Sequence, residues 1–442
     1  MLETPQKILE LQKKLYQKAK QEKNFRFYLL YDKVYRLDIL THAYKLVKAN
    51  KGACGVDGLT FEAIEGMEAG AEGYLLMIAD ELRRKIYKPM PVRRVYIPKA
   101  DGNKRPLGIP AIKDRIAQMA TKLVIEPVFE ADFQDYSYGF RPGKNAHRAM
   151  DDVSLNLRKG RVEVIDADIS KYFDAIPHDK LLKKVAKRIV DKNILHLIKM
   201  WLKAPIVEEG EDGKKRHFGN HKGTPQGGVI SPLLANIYLN TLDGIWKMQE
   251  IEKRLEARLV RYADDFVVLC AGNAGRVMEG VRKILKALEL DINEQKTRVI
   301  SSRKEGFDFL GFTSTIKKSP KTGKAFPLIR PSEKSVERIK YELKSLTSRS
   351  ILHLPKERII RKLNEAARGW ANYFYYANCT ESMSEVKTFL EERVRICLRR
   401  KHGNRGRGYG YKNYSNAYLY RTLGLYGIPT NAPWVRTAKA LC

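Results

Sequence analysis

The sequence predicts an α+β fold: a mixed sheet domain of the split β-α-β kind, followed by a helical segment. Three observations predict it. Strand-like runs alternate with helical periodicity from about residue 93 to 314, with hairpin turn signals between several of them. Strand signals thin out after Pro331, where apolar residues recur at three- and four-residue spacing. Hydrophobic residues make up 43% of a 442-residue chain, which is ordinary for a globular protein and enough for a sizeable core.

The elements follow in order. Residues 1–50 carry helical periodicity in LETPQKILELQKKLYQKAKQ and again in RLDILTHAYKLVKAN. KGACGVDGLT (51–60) breaks it with three glycines and an Asp-Gly, so a loop is expected. A helix is expected over 71–88. RRVYIP (93–98) and RPLGIP (105–110) read as strands joined at the Asp101-Gly102 turn. Residues 111–130 form an amphipathic helix, and DYSYGFRPGKNAHRAM (135–150) is a loop leading into another. RVEVIDADIS (161–170) is a strand, PIVEEGEDGKKRHFGN (205–220) a hairpin turning at Asp212-Gly213, and GTPQGGVISPLLANIYLNTLDGIW (223–246) a glycine-rich loop entering an apolar helix. RLVRYADDFVVLCAG (258–272) reads as strand–turn–strand. A helix over 276–290 and the strand-like TRVISS and FDFLGFTS (307–314) complete the sheet region. Residues 332–402 read as three helices, and 403–442 as a tail rich in Gly, Arg and Tyr.

The charge balance is not ordinary. Lys and Arg number 83 against 51 Asp and Glu, a net charge of +32. That disfavours most small-metabolite enzymes and points to a polyanion, nucleic acid first. The five cysteines (Cys54, Cys270, Cys379, Cys397, Cys442) form no CxxC pair, so neither a zinc ribbon nor a disulfide framework is indicated. A reducing, cytoplasmic setting fits. The charged N-terminus lacks the apolar core of a signal peptide, and no run of about 18 apolar residues suggests a membrane span.

Two segments place acids in apolar strand context: Asp166 and Asp168 in VIDADIS, and Asp264-Asp265 in YADDFVVL. Adjacent carboxylates at a turn repel unless they are solvated or hold a hard cation. A DD dipeptide alone is weak, and Asp151-Asp152 reads as an exposed helix start. The flanks distinguish Asp264-Asp265: Val260, Tyr262, Phe266, Val267, Val268 and Leu269 put these acids at the tip of a buried element. Carboxylates on neighbouring strands, without a histidine cluster, suit Mg²⁺ and phosphoryl transfer.

These residues resemble a known family. YADD (262–265) and DADISKYFD (166–174) are similar to the two metal-binding segments of reverse transcriptases, and GTPQGGVISPLLANIYLN (223–240) to the segment between them. NKGACGVDGLT (50–60), IPKADGNKRPLGIP (97–110) and DYSYGFRPGKNAHRAM (135–150) resemble fingers blocks of group II intron-encoded enzymes. INEQKT (292–297) and FDFLGF (307–312) resemble later palm blocks, and NEAARGWANYFYYAN (364–378) the thumb, or maturase, domain. The likeness runs collinearly over about residues 35–402. It implies a right-hand polymerase whose palm is ferredoxin-like, followed by an α-helical thumb. The N-terminal extension and fingers fall at 1–150 and the palm at 151–330, with about 35–325 forming one reverse transcriptase domain. The thumb falls at 331–402 and a basic tail at 403–442.

The resemblance also implies site residues. Asp168, Asp264 and Asp265 would be catalytic and hold two Mg²⁺ ions, with Mn²⁺ able to substitute; Asp166 would be structural. Lys99 and Arg105 flank the fingers turn and would grip the dNTP triphosphate. Phe173 would lie under the incoming sugar and exclude a ribose 2′-hydroxyl, and Gln226 would orient the nucleotide. Arg141, Lys296, Tyr373, Arg399, Arg400 and Lys401 are candidate nucleic-acid contacts. In the thumb, Ile359, Leu363, Ala367, Trp370 and Phe374 read as a core stripe. The expected partners are structured group II intron RNA, an RNA template with a DNA or RNA primer, dNTPs and target DNA, and a homodimer is compatible. Only about 40 residues follow the thumb, so no Cys/His endonuclease is expected. The expected function is an RNA-directed DNA polymerase that assists splicing and copies the intron into cDNA in a bacterial or archaeal cytoplasm, at the nucleoid when acting on DNA. A related enzyme of host defence or DNA repair, and a splicing-only maturase, are the alternatives.

Overall fold

The computed structural model describes residues 2–98, 102, 104–210, 214–403 and 407–433. The chain divides into two compact units. The first comprises residues 1–149, 167–266 and 275–298, the second 150–166, 267–274 and 299–442. The units interleave along the chain.

The first unit opens with α1 (Gln6–Gln21), α2 (Tyr31–Val34), α3 (Leu37–Ala49), α4 (Phe61–Glu65) and α5 (Gly70–Arg83). The helix expected over 71–88 ends early because Lys85 takes a φ of 60° and Pro89 and Pro91 follow. β1 (Val92–Pro98) and β2 (Lys104–Ile109) pair antiparallel, with Pro98 opposite Lys104. The 99–103 turn is outside the described residues apart from Gly102.

α6 (Ile112–Glu130) runs through Pro127, which cannot donate to the Leu123 carbonyl. Gln12 of α1 supplies that hydrogen bond instead, its Nε2 donating to Leu123 O at 3.0 Å.

Next come α7 (Ala146–Arg158), β3 (Glu163–Asp168), α8 (Tyr172–Ala175), α9 (His178–Ala186) and α10 (Lys192–Lys203). The hairpin of β4 (Ile206–Glu209) and β5 (Lys215–Phe218) forms as expected, although its Asp212-Gly213 turn lies outside the described residues. β4 runs parallel to β1, giving a sheet of order β2-β1-β4-β5.

α11 (Ser231–Met248) and α12 (Ile251–Arg254) lead to the hairpin of β6 (Ala257–Tyr262) and β7 (Asp265–Cys270). α13 (Ala274–Ala287) and β8 (Arg298–Ser301) follow. The second sheet has the order β6-β7-β3-β8, so its strands stand 2-3-1-4 by their own chain order, as a split β-α-β unit requires. β7 is an inner strand, and Phe266 to Cys270 are all buried.

In the second unit, β9 (Phe307–Phe309), β10 (Phe312–Lys318) and β11 (Ala325–Pro331) form an antiparallel sheet. Leu310 and Gly311, with φ of 51° and 80°, make the tight turn from β9 to β10. The expected three helices are α14 (Glu333–Ser345), α15 (Lys356–Phe374) and α16 (Thr380–Lys401). Ile359, Leu363, Ala367, Trp370 and Phe374 of α15 are buried, as a core stripe should be. The described part of the tail forms α17 (Arg407–Asn413) and a π-helical turn at Tyr418–Thr422. No helix among the described residues is long and apolar enough to cross a membrane.

Candidate active site

Strand alternation sets the first carboxylates. In β3, Ile165 and Ala167 are buried while Asp166 and Asp168 share the other face. The second pair lies where β6 turns into β7: Asp264 is in the turn, and Asp265 is the exposed first residue of β7. Burial pushes the Asp264 carboxyl up from its usual range, and the charge of Asp168 adds to the rise. Arg105 and Arg261 act against it. Asp168, Asp264 and Arg105 therefore share one electrostatic field within the first unit.

The segment after α13 braces Asp168. Asn293 Nδ2 donates to Asp168 Oδ2 at 3.3 Å, and Lys296 Nζ stands 3.3 Å from the same oxygen. Asn293 N also donates to the Asp168 carbonyl at 2.8 Å. Lys296, expected to touch nucleic acid, is thus paired with a candidate catalytic aspartate.

The glycine-rich loop 223–228 ties two further candidates together. Thr224 N donates to Phe173 O at 2.7 Å, and Gly108 N of β2 donates to Gln226 O at 2.6 Å. Gly227 has a φ of 112°, and a Cβ there would lie 2.4 Å from Gly108 O, so the sequence needs glycine. His178, buried at the start of α9, places Nε2 2.7 Å from Gly223 O. Phe173 is half-buried, its ring edge-on to Tyr172 at 5.5 Å. Lys99 lies outside the described residues.

Other candidates are placed differently. Arg141 is only 7% exposed. Its guanidinium forks onto Glu130, donates to the carbonyls of Gln134 and Ser137, and covers the Phe133 ring. It braces the 130–141 segment, which is at odds with the nucleic-acid contact expected of it. Tyr373 donates to Leu310 O at 3.0 Å and stacks on Phe312. Lys401 Nζ donates to Leu352 O and Leu354 O at 2.7 and 2.9 Å. Arg400 is exposed and Arg399 half-exposed. In the tail, Tyr411 and Tyr420 donate to Glu392 and Glu391 of α16.

The sequence reading missed Asn293 and Arg261. Asn293 lies inside the INEQKT motif, of which only Lys296 was singled out. Arg261 carried a local signal: it shares a strand face with buried Ala257 and Leu259, where a charge requires a partner.

Among the described residues, no three His, Cys, Asp or Glu side chains group so as to hold a metal ion by themselves. The donors near Asp168 and Asp264 are hard oxygens. That suits a cation that keeps several waters and takes further ligands from substrate phosphates.

The family model "Reverse transcriptase (RNA-dependent DNA polymerase)" matches residues 97–314, and "Group II intron, maturase-specific domain" matches residues 336–415. Protein YkfC of Escherichia coli K12 is 36% identical over 350 residues, covering 71% of this chain and 89% of YkfC. The group II intron-encoded protein LtrA of Lactococcus lactis subsp. cremoris is 27% identical, covering 85% of this chain and 75% of LtrA. A telomerase from Candida albicans aligns with a TM-score of 0.41 and 11% identity over 81% of this chain and 71% of its own, too loosely to build on. Reverse transcriptases use divalent metal ions, and the carboxylates here stand where the polymerase model matches. With polymerase and maturase-specific segments in series and a relative matched over nearly its whole length, the chain belongs to the group II intron-encoded reverse transcriptase/maturase family and is an RNA-directed DNA polymerase.

Proposed function

We propose that Asp168, Asp264 and Asp265 form the polymerising centre and hold two Mg²⁺ ions, for which Mn²⁺ can substitute. The observation that carries this is the placement of Asp168 at the end of β3 and of Asp264 and Asp265 where β6 turns into β7, the strand beside β3, close enough for Asp168 and Arg105 to act on the Asp264 carboxyl. When bound, the ions lower the pKa of the primer 3′-hydroxyl and neutralise charge developing on the triphosphate. The chain's own residues position the reactants. Arg105 offers a planar fork to the triphosphate, and Lys99, from the same hairpin, a point charge. Phe173 lies under the incoming sugar and favours a deoxyribose. Gln226, held through its carbonyl to β2, orients the nucleotide. Lys296 and Asn293 keep Asp168 aimed.

The partners in this reading are group II intron RNA, a template with its primer, dNTPs and, during mobility, target DNA. Residues 1–150 supply the N-terminal extension and fingers, 151–330 the palm, 331–402 the thumb and 403–442 a basic tail. The match to a maturase-specific segment supports intron RNA as the partner. The enzyme would assist splicing by binding the folded RNA better than its alternatives, then copy the intron at its insertion site. Its bacterial relatives support a cytoplasmic setting beside the nucleoid.

The test is dNTP incorporation on a primed RNA template with Mg²⁺, comparing the wild type with Asp264→Ala/Asp265→Ala. Extension by the wild type alone is expected. Equal extension by both would remove these carboxylates from the reaction.

A further inference from the structure

Directly behind the Asp264-Asp265 turn lies a charged cluster with no contact to solvent. Arg261 and Asp243 are each 0% exposed and Asn236 2%. Arg261 Nε donates to Asp243 Oδ1 at 3.0 Å, and Nη2 donates to Oδ2. Nη1 donates to Asn236 Oδ1 at 3.0 Å and to the carbonyl of Ala263 at 2.9 Å. Four of the five guanidinium N–H groups therefore have an acceptor. Asn236 and Asp243 are seven residues apart on α11, two turns along one face, so one helix orients the whole fork.

The last of these bonds reaches the turn itself. Ala263 has a φ of 59°, a left-handed conformation that a residue with a Cβ adopts at a cost. Its neighbours leave it no alternative path. Tyr138 N donates to Arg261 O at 2.8 Å and Arg261 N to Tyr136 O at 2.9 Å, which lays residues 136–139 along β6. A Cβ on Gly139 would stand 2.4 Å from Ala263 N, and Asn236 Nδ2 fixes Gly139 O at 2.8 Å. The turn that presents Asp264 and Asp265 is thus clamped from one side by backbone and from behind by a guanidinium.

We propose that Arg261, oriented by Asp243 and Asn236, is a positioning residue that holds Ala263 left-handed and so fixes the direction in which Asp264 and Asp265 face the metal ions. It touches neither substrate nor ion. The proposal rests on the reading of Asp168, Asp264 and Asp265 as metal-holding residues.

The test uses full-length protein carrying a primed RNA template with a dideoxy-terminated primer and matching dNTP. Mn²⁺ binding is followed by electron paramagnetic resonance. Single-nucleotide insertion with an extendable primer is titrated with Mg²⁺ in parallel. Arg261→Lys keeps the charge and loses the fork; Asn236→Ala keeps the Asp243 pair, loosens the fork and also frees Gly139 O, and serves if the first variant does not fold. The expected result is Mn²⁺ affinity and kcat each lower by about 10- to 100-fold, the range for losing a group that orients a metal ligand, with KM for dNTP and template affinity unchanged. Adding Ala263→Gly to either variant should recover part of kcat, because glycine adopts the left-handed turn unaided. Two outcomes overturn the proposal. One is a folded variant with wild-type Mn²⁺ affinity and kcat. The other is a loss that tracks the melted fraction and that Ala263→Gly does not relieve. An Asp264→Ala control separates the two levels: if it still binds Mn²⁺ and inserts nucleotides, the metal-site reading fails first.

Discussion

Phe173 and β2, the strand that carries Arg105, both bond the 223–228 loop through their backbones. The Phe173 backbone is tied to Thr224, so the Cα that carries the ring is held to the 223–228 loop. Replacing it with alanine should open room for a 2′-hydroxyl and raise rNTP relative to dNTP insertion by roughly 10–200-fold, the range for a purely steric pocket. Competitive primer extension with the two nucleotide types measures this. Arg105 is exposed on β2, yet its charge reaches Asp264. Arg105→Ala should raise KM for dNTP and lower kcat/KM by about 10- to 100-fold, the loss of one charge-assisted hydrogen bond of about 1.5–3 kcal/mol. Behind both sits the Arg261–Asp243 pair. Asp243→Ala would strand a buried guanidinium and should cost about 3–5 kcal/mol, read from urea unfolding. The positions of the aspartates, at a strand end and a hairpin turn, could be read from the sequence because two-residue alternation and an apolar flank are local signals. The Arg261 partnership could not, because its partner lies 18 residues back on a helix. A charge on a core-facing strand position says that a partner exists, not which one.

At the scale of elements, the loop between Gly223 and Gly228 depends on two contacts that local sequence does not announce. One is the hydrogen bond from Gly108 to Gln226, which ties the loop to β2. Gly227→Ala would set a Cβ against that backbone at a φ of 112°. Strain of about 1–3 kcal/mol should lower kcat/KM by about 10- to 100-fold, with little change in global melting. The other contact is His178 against Gly223 O. Burial holds the His178 pKa below its ordinary 6.5, although the Gly223 hydrogen bond opposes the shift. Below pH 6.5 the unfolded chain therefore takes up a proton that the folded one resists, so this site's contribution to stability falls as pH drops toward the folded pKa. Melting temperature should decline with acidification through that window, and His178→Gln should flatten its share of the slope. The glycines and the polar loop composition were legible as a loop. What the loop rests on was not, because both partners are distant in sequence. The same limit hid the parallel pairing of β4 with β1, whereas the hairpins, whose partners are adjacent in the chain, could be read directly. Pro127 shows the converse: helical periodicity ran through a residue that should break it, and the compensating donor, Gln12, lies 111 positions earlier.

The whole molecule carries a net charge of +32, and that excess has to be separated from the chemistry proposed for three aspartates. Several cations flagged in the sequence are committed within the fold. Arg141 is locked onto Glu130 and Lys401 onto two carbonyls, while Lys296, still exposed, pairs with Asp168. At the end of α16, Arg400 is exposed and Arg399 partly so. Composition could report the sum of charge but not its distribution, since an arginine that braces a loop and one that meets a phosphate are the same letter. Affinity for RNA should therefore arise from many exposed side chains, each displacing counterions, and only weakly from any one. If six to ten phosphates are neutralised, binding of a structured intron RNA should weaken by about 10³–10⁵-fold between 50 and 200 mM salt. Filter binding across that range measures the slope. Arg399→Ala/Arg400→Ala should reduce it by about two, one for each phosphate left without its arginine. Asp264→Ala/Asp265→Ala should leave the slope unchanged while abolishing extension, because removing two acids from the polymerising centre takes away chemistry without taking away a cation. A flat salt response in the wild type would mean that the excess charge serves something other than a nucleic-acid backbone.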